Sequence, residues 1–169
     1  MKRINILGNS GSGKSTLARM IGERLQIPVV YLDKMFWEPD WQEADTRVFR
    51  QRVARAVSGD AWVCEGNYAT KTFDLRIPQA DLNVWLDTPR MICATRVILR
   101  SMGIKDRPDL PAGCKEGNFR NTLELVRDVW RFEATRRSRV DAELARWAKA
   151  ETVLHLKEPD QIAKFLTTI

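Results

Sequence analysis

The sequence predicts an α/β fold: a five-stranded parallel sheet with helices on both faces. Three observations carry that prediction. Short β-branched apolar runs alternate with helical stretches along all 169 residues, as crossover connections between parallel strands require. A glycine-rich run, Gly8 to Ser15, joins the first such strand to the first such helix. Hydrophobic residues make up 44% of the chain and charged residues 30%, a globular balance that excludes disordered, collagenous and coiled-coil classes.

The elements follow in order. Arg3-Ile4-Asn5-Ile6-Leu7 reads as a buried strand ending at Gly8. Leu17, Met20, Ile21 and Leu25 recur at helical spacing, so residues 15–25 form a helix that Pro28 stops. Val29-Val30-Tyr31-Leu32 is the second strand. Val48, Phe49, Val53 and Val57 mark an amphipathic helix over 43–57, closed by the Gly59-Asp60 turn. Ala61-Trp62-Val63-Cys64 is the third strand and Leu82-Asn83-Val84-Trp85-Leu86 the fourth. Pro89 suits the first position of a helix over 90–100. Residues 101–118 hold glycines and prolines and read as an irregular excursion. A long charged helix over 119–148, a fifth strand over 152–156 and a last helix over 160–166 complete the chain.

The length suits one domain over 1–169. No apolar run approaches the roughly 20 residues of a membrane span, and the N-terminal apolar stretch is too short for a signal peptide. Cys64, Cys93 and Cys114 have no metal spacing and fit a reducing cytoplasm. The single histidine, His155, excludes multi-histidine metal sites and is expected to pack within the fifth strand. Net charge is +6, and residues 89–150 hold 14 basic against 8 acidic side chains. That stretch suits a polyanion, either nucleotide phosphates or nucleic acid.

Gly8-Asn9-Ser10-Gly11-Ser12-Gly13-Lys14-Ser15 matches G-x-x-x-x-G-K-[ST] in full, between the strand and helix the motif needs. Gly8, Gly11 and Gly13 let backbone amides turn inward around phosphate oxygens. The helix beginning at Lys14 aims its positive dipole end at the same anion. Lys14 would bridge the β- and γ-phosphates and Ser15 would offer a hydroxyl to Mg²⁺. Ser10, Ser12 and Thr16 complete the candidate ATP-binding set. A base-reading N-K-x-D segment is lacking, which argues against a GTPase. The length leaves no room for a motor. A compact kinase is the best remaining class.

Further segments extend the pattern: Tyr31-Leu32-Asp33-Lys34-Met35-Phe36-Trp37 with Trp41, Trp62 to Tyr68, Ala80 to Asp87, and Arg107-Pro108-Asp109-Leu110-Pro111 with Gly113-Cys114. In these the chain resembles the adenylate-kinase-related P-loop kinases, and most closely the bacterial group labelled DNA topology modulation protein (FlaR-type). The resemblance covers nearly the whole chain. It implies the three-layer P-loop NTPase sandwich with strand order 2-3-1-4-5 and a small lid at 101–118, hinged at Gly103, Gly113 and Gly117. Glu65, ending the third strand, would order Mg²⁺ through water. Asp33, ending the second, would contact the acceptor hydroxyl, as in the related shikimate- and gluconate-type kinases, or else cap a helix. Phe36, Trp37 and Trp41 would line the acceptor pocket or belong to the core. Arg76 would bind an acidic group of the acceptor, or pair with Asp74 or Asp81 at the surface. Arg96 and Arg100, one turn apart, would touch base and phosphates. Arg136 and Arg137, with Arg131 and Arg139 near them, would neutralise the transferring phosphoryl group.

The implied activity is ATP- and Mg²⁺-dependent phosphoryl transfer to a nucleotide or a small hydroxylated acceptor. The alternative is a nucleic-acid-associated protein that uses ATP binding as a switch.

Overall fold

The computed structural model describes residues 1–103, 109–114 and 119–169. The chain opens with strand β1 (Arg3–Gly8), helix α1 (Lys14–Leu25) and strand β2 (Val29–Tyr31). A single helical turn, α2 (Asp33–Phe36), leads into a two-stranded antiparallel ribbon of β3 (Trp37–Glu38) and β4 (Gln42–Glu43). Helix α3 (Thr46–Ala56) starts on an Asp45 cap whose carboxylate accepts from the amides of Arg47 and Val48. Strand β5 (Trp62–Glu65), helix α4 (Ala69–Arg76), strand β6 (Leu82–Leu86) and helix α5 (Arg90–Ser101) follow. Helices α6 (Phe119–Phe132) and α7 (Ser138–Trp147) join through a π-helical turn, Glu133–Arg137. Strand β7 (Val153–Leu156) and helix α8 (Pro159–Thr168) end the chain.

The five long strands form one sheet in the order β2-β5-β1-β6-β7, every pair parallel. Counted among themselves, they take the expected order 2-3-1-4-5. Strand alternation sorts the core into two layers. Ile4, Ile6, Val63 and Val84 pack with α1 and α8 on one face, against Leu17, Ile21 and Phe165. Leu7 and Trp85 meet Phe73, Phe132 and Leu144 of α4, α6 and α7 on the other. The fold is thus the three-layer α/β sandwich that the alternation predicts.

Some elements differ from the sequence reading. The ribbon and α4 have no counterpart in it. Helix α4 buries Thr72, Phe73 and Arg76, so its inner face carries no apolar stripe to betray it. Pro89 caps α5 from outside rather than opening it. The long charged helix is interrupted by the π-turn. His155 is exposed on β7, an edge strand, rather than packed, its ring 6.5 Å from that of Trp85. Among the described residues no helix is long and apolar enough to cross a membrane.

The expected lid, 101–118, lies partly outside the described residues, with Arg107, Pro108 and Gly117 among those not described. Its described piece, residues 109–114, packs on the ribbon. The Asp40 amide donates to Gly113 O at 3.4 Å, and the Cys114 thiol donates to Glu38 O at 3.3 Å. Gly113 (φ +76) sits so close that a Cβ would lie 2.9 Å from Pro39.

Candidate functional site

The glycine-rich loop leaves β1 at the carboxyl edge of the sheet, where open α/β sheets bind ligands. It is wedged between β6 and α5. Gly8 has φ +144, and a Cβ there would stand 2.6 Å from Leu86 O. Gly11 has φ +78, and its Cβ would stand 2.3 Å from Cys93 O. Neither position admits a side chain. Thr88 Oγ1 donates to Ser12 O at 3.0 Å, and Arg96 Nη1 donates to Gly11 O and Ser12 O at 3.3 and 3.0 Å. The outward carbonyls are therefore held from behind. The amides of Gly11, Gly13, Lys14, Ser15 and Thr16 have no acceptor among the described residues. They gather at the positive end of α1, an arrangement suited to a phosphate chain. Ser12 Oγ is buried there without a partner among the described residues.

Two asparagines tie the loop down, and the sequence reading missed both. Asn9 Nδ2 donates to Val129 O on α6 at 2.9 Å, while Asn9 Oδ1 accepts from the Ser10 amide at 2.8 Å. Asn67 pairs with both backbone groups of Gly8, at 3.1 and 3.0 Å. Lys14 Nζ rests on Asn9 O at 2.9 Å.

Glu65 ends β5 beside the loop, with 3% of its surface exposed. Ser15 Oγ donates to its Oε1 at 3.3 Å. Burial pushes the Glu65 carboxyl up to about 8, against the pull of Lys14 and with a further push from Asp33 and Asp109. Ser15, Glu65 and the phosphates of a bound nucleotide would offer hard oxygen ligands, which fit Mg²⁺. The described residues hold no cluster of three or more His, Cys, Asp or Glu for a metal, so such a cation would depend on phosphate and water for its remaining ligands.

Asp33 opens α2 across from the loop. Tyr68 Oη donates to Asp33 Oδ1 at 2.7 Å. Burial first, and then the Asp33 charge, raise the Tyr68 hydroxyl far above its ordinary value, so it remains a donor. Trp37 is half-buried and stands edge-on to Phe36 and Trp41, at 5.0 and 5.7 Å between ring centres. Phe36 itself is core. Asp109 is buried, and its charge reaches both Glu65 and Tyr31.

Arg76 corrects the sequence reading. It is fully buried and faces the interior instead of an acceptor. Nε donates to Thr72 Oγ1 at 3.2 Å, Nη1 to Asn5 Oδ1 at 2.8 Å, and Nη2 to the carbonyls of Gly66 and Asn67. Burial lowers the guanidinium's pKa from its ordinary value. Neither suggested surface partner holds it. Asp74 pairs with Arg50 at 2.6 Å, and Asp81 accepts from the Lys2 and Arg3 amides. One signal could have revealed this: Asn5 and Asn83 interrupt apolar strands, and a buried strand amide needs a polar partner. They find each other at 3.0 Å, and Asn5 also finds Arg76.

The remaining arginines divide. Arg96 backs the loop, and Arg100 follows one turn along α5. Arg137 reaches the sheet edge, 2.7 Å from Asp87 and 3.0 Å from Asp141, with its guanidinium 4.6 Å from the centre of the Trp85 ring. Arg136 does not join it. Largely exposed, it pairs with Asp128 at 2.6 Å, so of the two expected arginines only Arg137 reaches the sheet edge. Consecutive residues of a helix point in different directions, so the two side chains part. Arg131 and Arg139 are exposed.

No protein-family model matches the sequence, and no curated protein matches it. Solved structures do match in fold. Shikimate kinase from Acinetobacter baumannii, solved with shikimate, superposes with a TM-score of 0.57 at 19% identity, covering 99% of this chain and 92% of that one. Shikimate kinase from Bacteroides thetaiotaomicron gives 0.60 at 18% identity, covering 99% and 95%. At this identity the likeness establishes the fold alone, the P-loop NTPase α/β sandwich.

Proposed function

We propose that this chain is an ATP- and Mg²⁺-dependent phosphotransferase that moves the γ-phosphoryl group to a hydroxyl of a small acceptor. One observation carries the reading: Ser15 and Glu65 meet at 3.3 Å beside Lys14 and the open loop amides, while Asp33 stands opposite at the end of β2. Ser15 and Glu65 would hold Mg²⁺, which would supply neutralisation of phosphate charge.

The chain's own groups divide the remaining work. Lys14 exchanges the Asn9 carbonyl for phosphate oxygens and holds charge that grows in the transition state. The amides of Gly11 and of Gly13 to Thr16 fix the phosphate chain in line. Asp33 accepts the proton of the acceptor hydroxyl, and the Tyr68 hydroxyl holds that carboxylate in place. Trp37 offers a ring edge on the acceptor side. Residues 101–118 act as a lid, and the packing of 109–114 on the ribbon supports closure on that side, which excludes water as a competing acceptor. Arg100 would add positive charge near the nucleotide, whereas Arg137 would first have to leave Asp87 and Asp141.

With Arg76 occupied inside the protein, a nucleoside monophosphate loses its expected phosphate fork. The acceptor is therefore better sought among small hydroxylated metabolites. The shikimate kinases that share the fold point the same way. Nucleic-acid binding rests on charge alone, and several arginines of the basic stretch are already paired or stacked.

The test is transfer of label from γ-labelled ATP across a panel of hydroxy acids, sugars, amino alcohols and nucleotides. Labelling of one small hydroxylated acceptor, lost in Lys14→Ala, is expected. Labelling of no acceptor, together with DNA binding that Lys14→Ala leaves intact, would overturn the reading.

A further inference from the structure

Gly8 lies where β1 outruns one of its neighbours. On one side it pairs with Leu86 of β6. On the other, β5 ends at Glu65, opposite Ile6. Gly66, with φ +125, then turns the chain away, and a Cβ there would lie 3.1 Å from Leu32. A side chain fills the missing rung. Asn67 Oδ1 accepts from the Gly8 amide at 3.1 Å, and Asn67 Nδ2 donates to Gly8 O at 3.0 Å. An uncharged carboxamide both accepts and donates as a peptide group does.

The turn that presents Asn67 is itself held. Arg76 Nη2 donates to the carbonyls of Gly66 and Asn67. Arg76 Nη1 continues to Asn5, Asn5 to Asn83, and Asn83 to Thr152. A line of buried polar groups thus crosses the sheet from the start of β7 to the entry of the phosphate loop.

We propose that Asn67 is a positioning residue of the phosphate loop. Its side-chain amide completes the β1 ladder at Gly8, and the buried Arg76 fixes the turn that presents it. A loop of glycines has no side chains to set its own path. Its amides converge before an anion arrives only if both edges of its first residue are fixed. Pre-organisation of this kind appears as affinity. The proposal rests on the nucleotide-binding reading above.

A comparison at the two ends of β1 tests it. Asp81 Oδ2 accepts from the amides of Lys2 and Arg3 at 2.6 and 3.0 Å. Asn67→Ala and Asp81→Ala therefore each delete two hydrogen bonds to the backbone of the same strand. MgADP binding is measured by calorimetry on the full chain, with Tm recorded for each variant. Asn67→Ala is expected to weaken MgADP about tenfold. Asp81→Ala is expected to bind within about twofold of the wild type, although its Tm falls too. Equal affinity in Asn67→Ala and the wild type overturns the proposal alone. So does an equal loss in Asp81→Ala. A wild type that binds no MgADP overturns the phosphotransferase reading, and the proposal with it. If Asn67→Ala does not fold, Asn67→Ser serves instead: it stays uncharged, is too short to bridge both backbone groups of Gly8, and is expected to weaken MgADP in the same sense.

Discussion

Glu65 makes the apoprotein less stable as pH rises, and Mg²⁺-nucleotide binding should relieve this. The residue is 3% exposed, and burial pushes its carboxyl from 4.5 up to about 8. Between those values the native state keeps a proton that the unfolded state has lost. Stability therefore falls with rising pH, by about 1.4 kcal/mol per pH unit. The contribution is fully present below the unfolded value and is lost as pH passes through the folded one. Over the whole window it amounts to roughly 5 kcal/mol. Glu65→Gln should abolish this slope and be the more stable protein at pH 8 without Mg²⁺. Urea unfolding from pH 5 to 8.5, read as the difference between wild type and Glu65→Gln, measures it. Binding of Mg²⁺ and nucleotide is then expected to expel most of this proton at pH 7. Calorimetry in two buffers of different ionisation enthalpy counts that release. Parallel pH profiles for the two proteins, or binding without proton release in the wild type, would refute the reasoning.

Three further outcomes follow from the same geometry. Arg76→Met leaves Asn5 Oδ1 and the Gly66 and Asn67 carbonyls without their donor, so urea unfolding should show a loss of roughly 3–5 kcal/mol; a loss below about 1 kcal/mol would mean the guanidinium is not a strut. Gly11→Ala forces a Cβ to 2.3 Å from Cys93 O at φ +78, and should abolish measurable MgADP binding in a calorimeter; wild-type affinity would contradict the wedged loop. Tyr68→Phe removes the 2.7 Å bond to Asp33, and should lower kcat about tenfold while MgADP affinity stays within about twofold; an unchanged kcat would separate Tyr68 from the chemistry.

The sheet was legible because its strands are short, mostly apolar runs, the three central ones buried on both faces. The phosphate loop was legible because glycine, lysine and serine at fixed spacing have few other uses. Glu65 could be placed because it ends β5 at the carboxyl edge of the sheet; Asp33, expected to end the second strand, instead opens α2 two residues beyond β2. The supports of the site were not legible. An arginine reads as a surface or anion-binding group until its partners are known, and Asn5 lies 71 residues from Arg76. Asn67 and Tyr68 look like turn residues, and only the fold shows that they grip Gly8 and Asp33. Helix α4 stayed hidden for the same reason: its buried face is threonine, phenylalanine and arginine, held by polar bonds as much as by apolar contact.

The central claim is that one site holds Mg²⁺-ATP on the loop and an acceptor hydroxyl at Asp33. Asp33→Asn tests it most directly, with nucleotide affinity and label transfer measured on the same preparation. The account predicts MgATP affinity within about twofold of the wild type, and transfer slowed by about 100-fold or more. Transfer at the wild-type rate would contradict it.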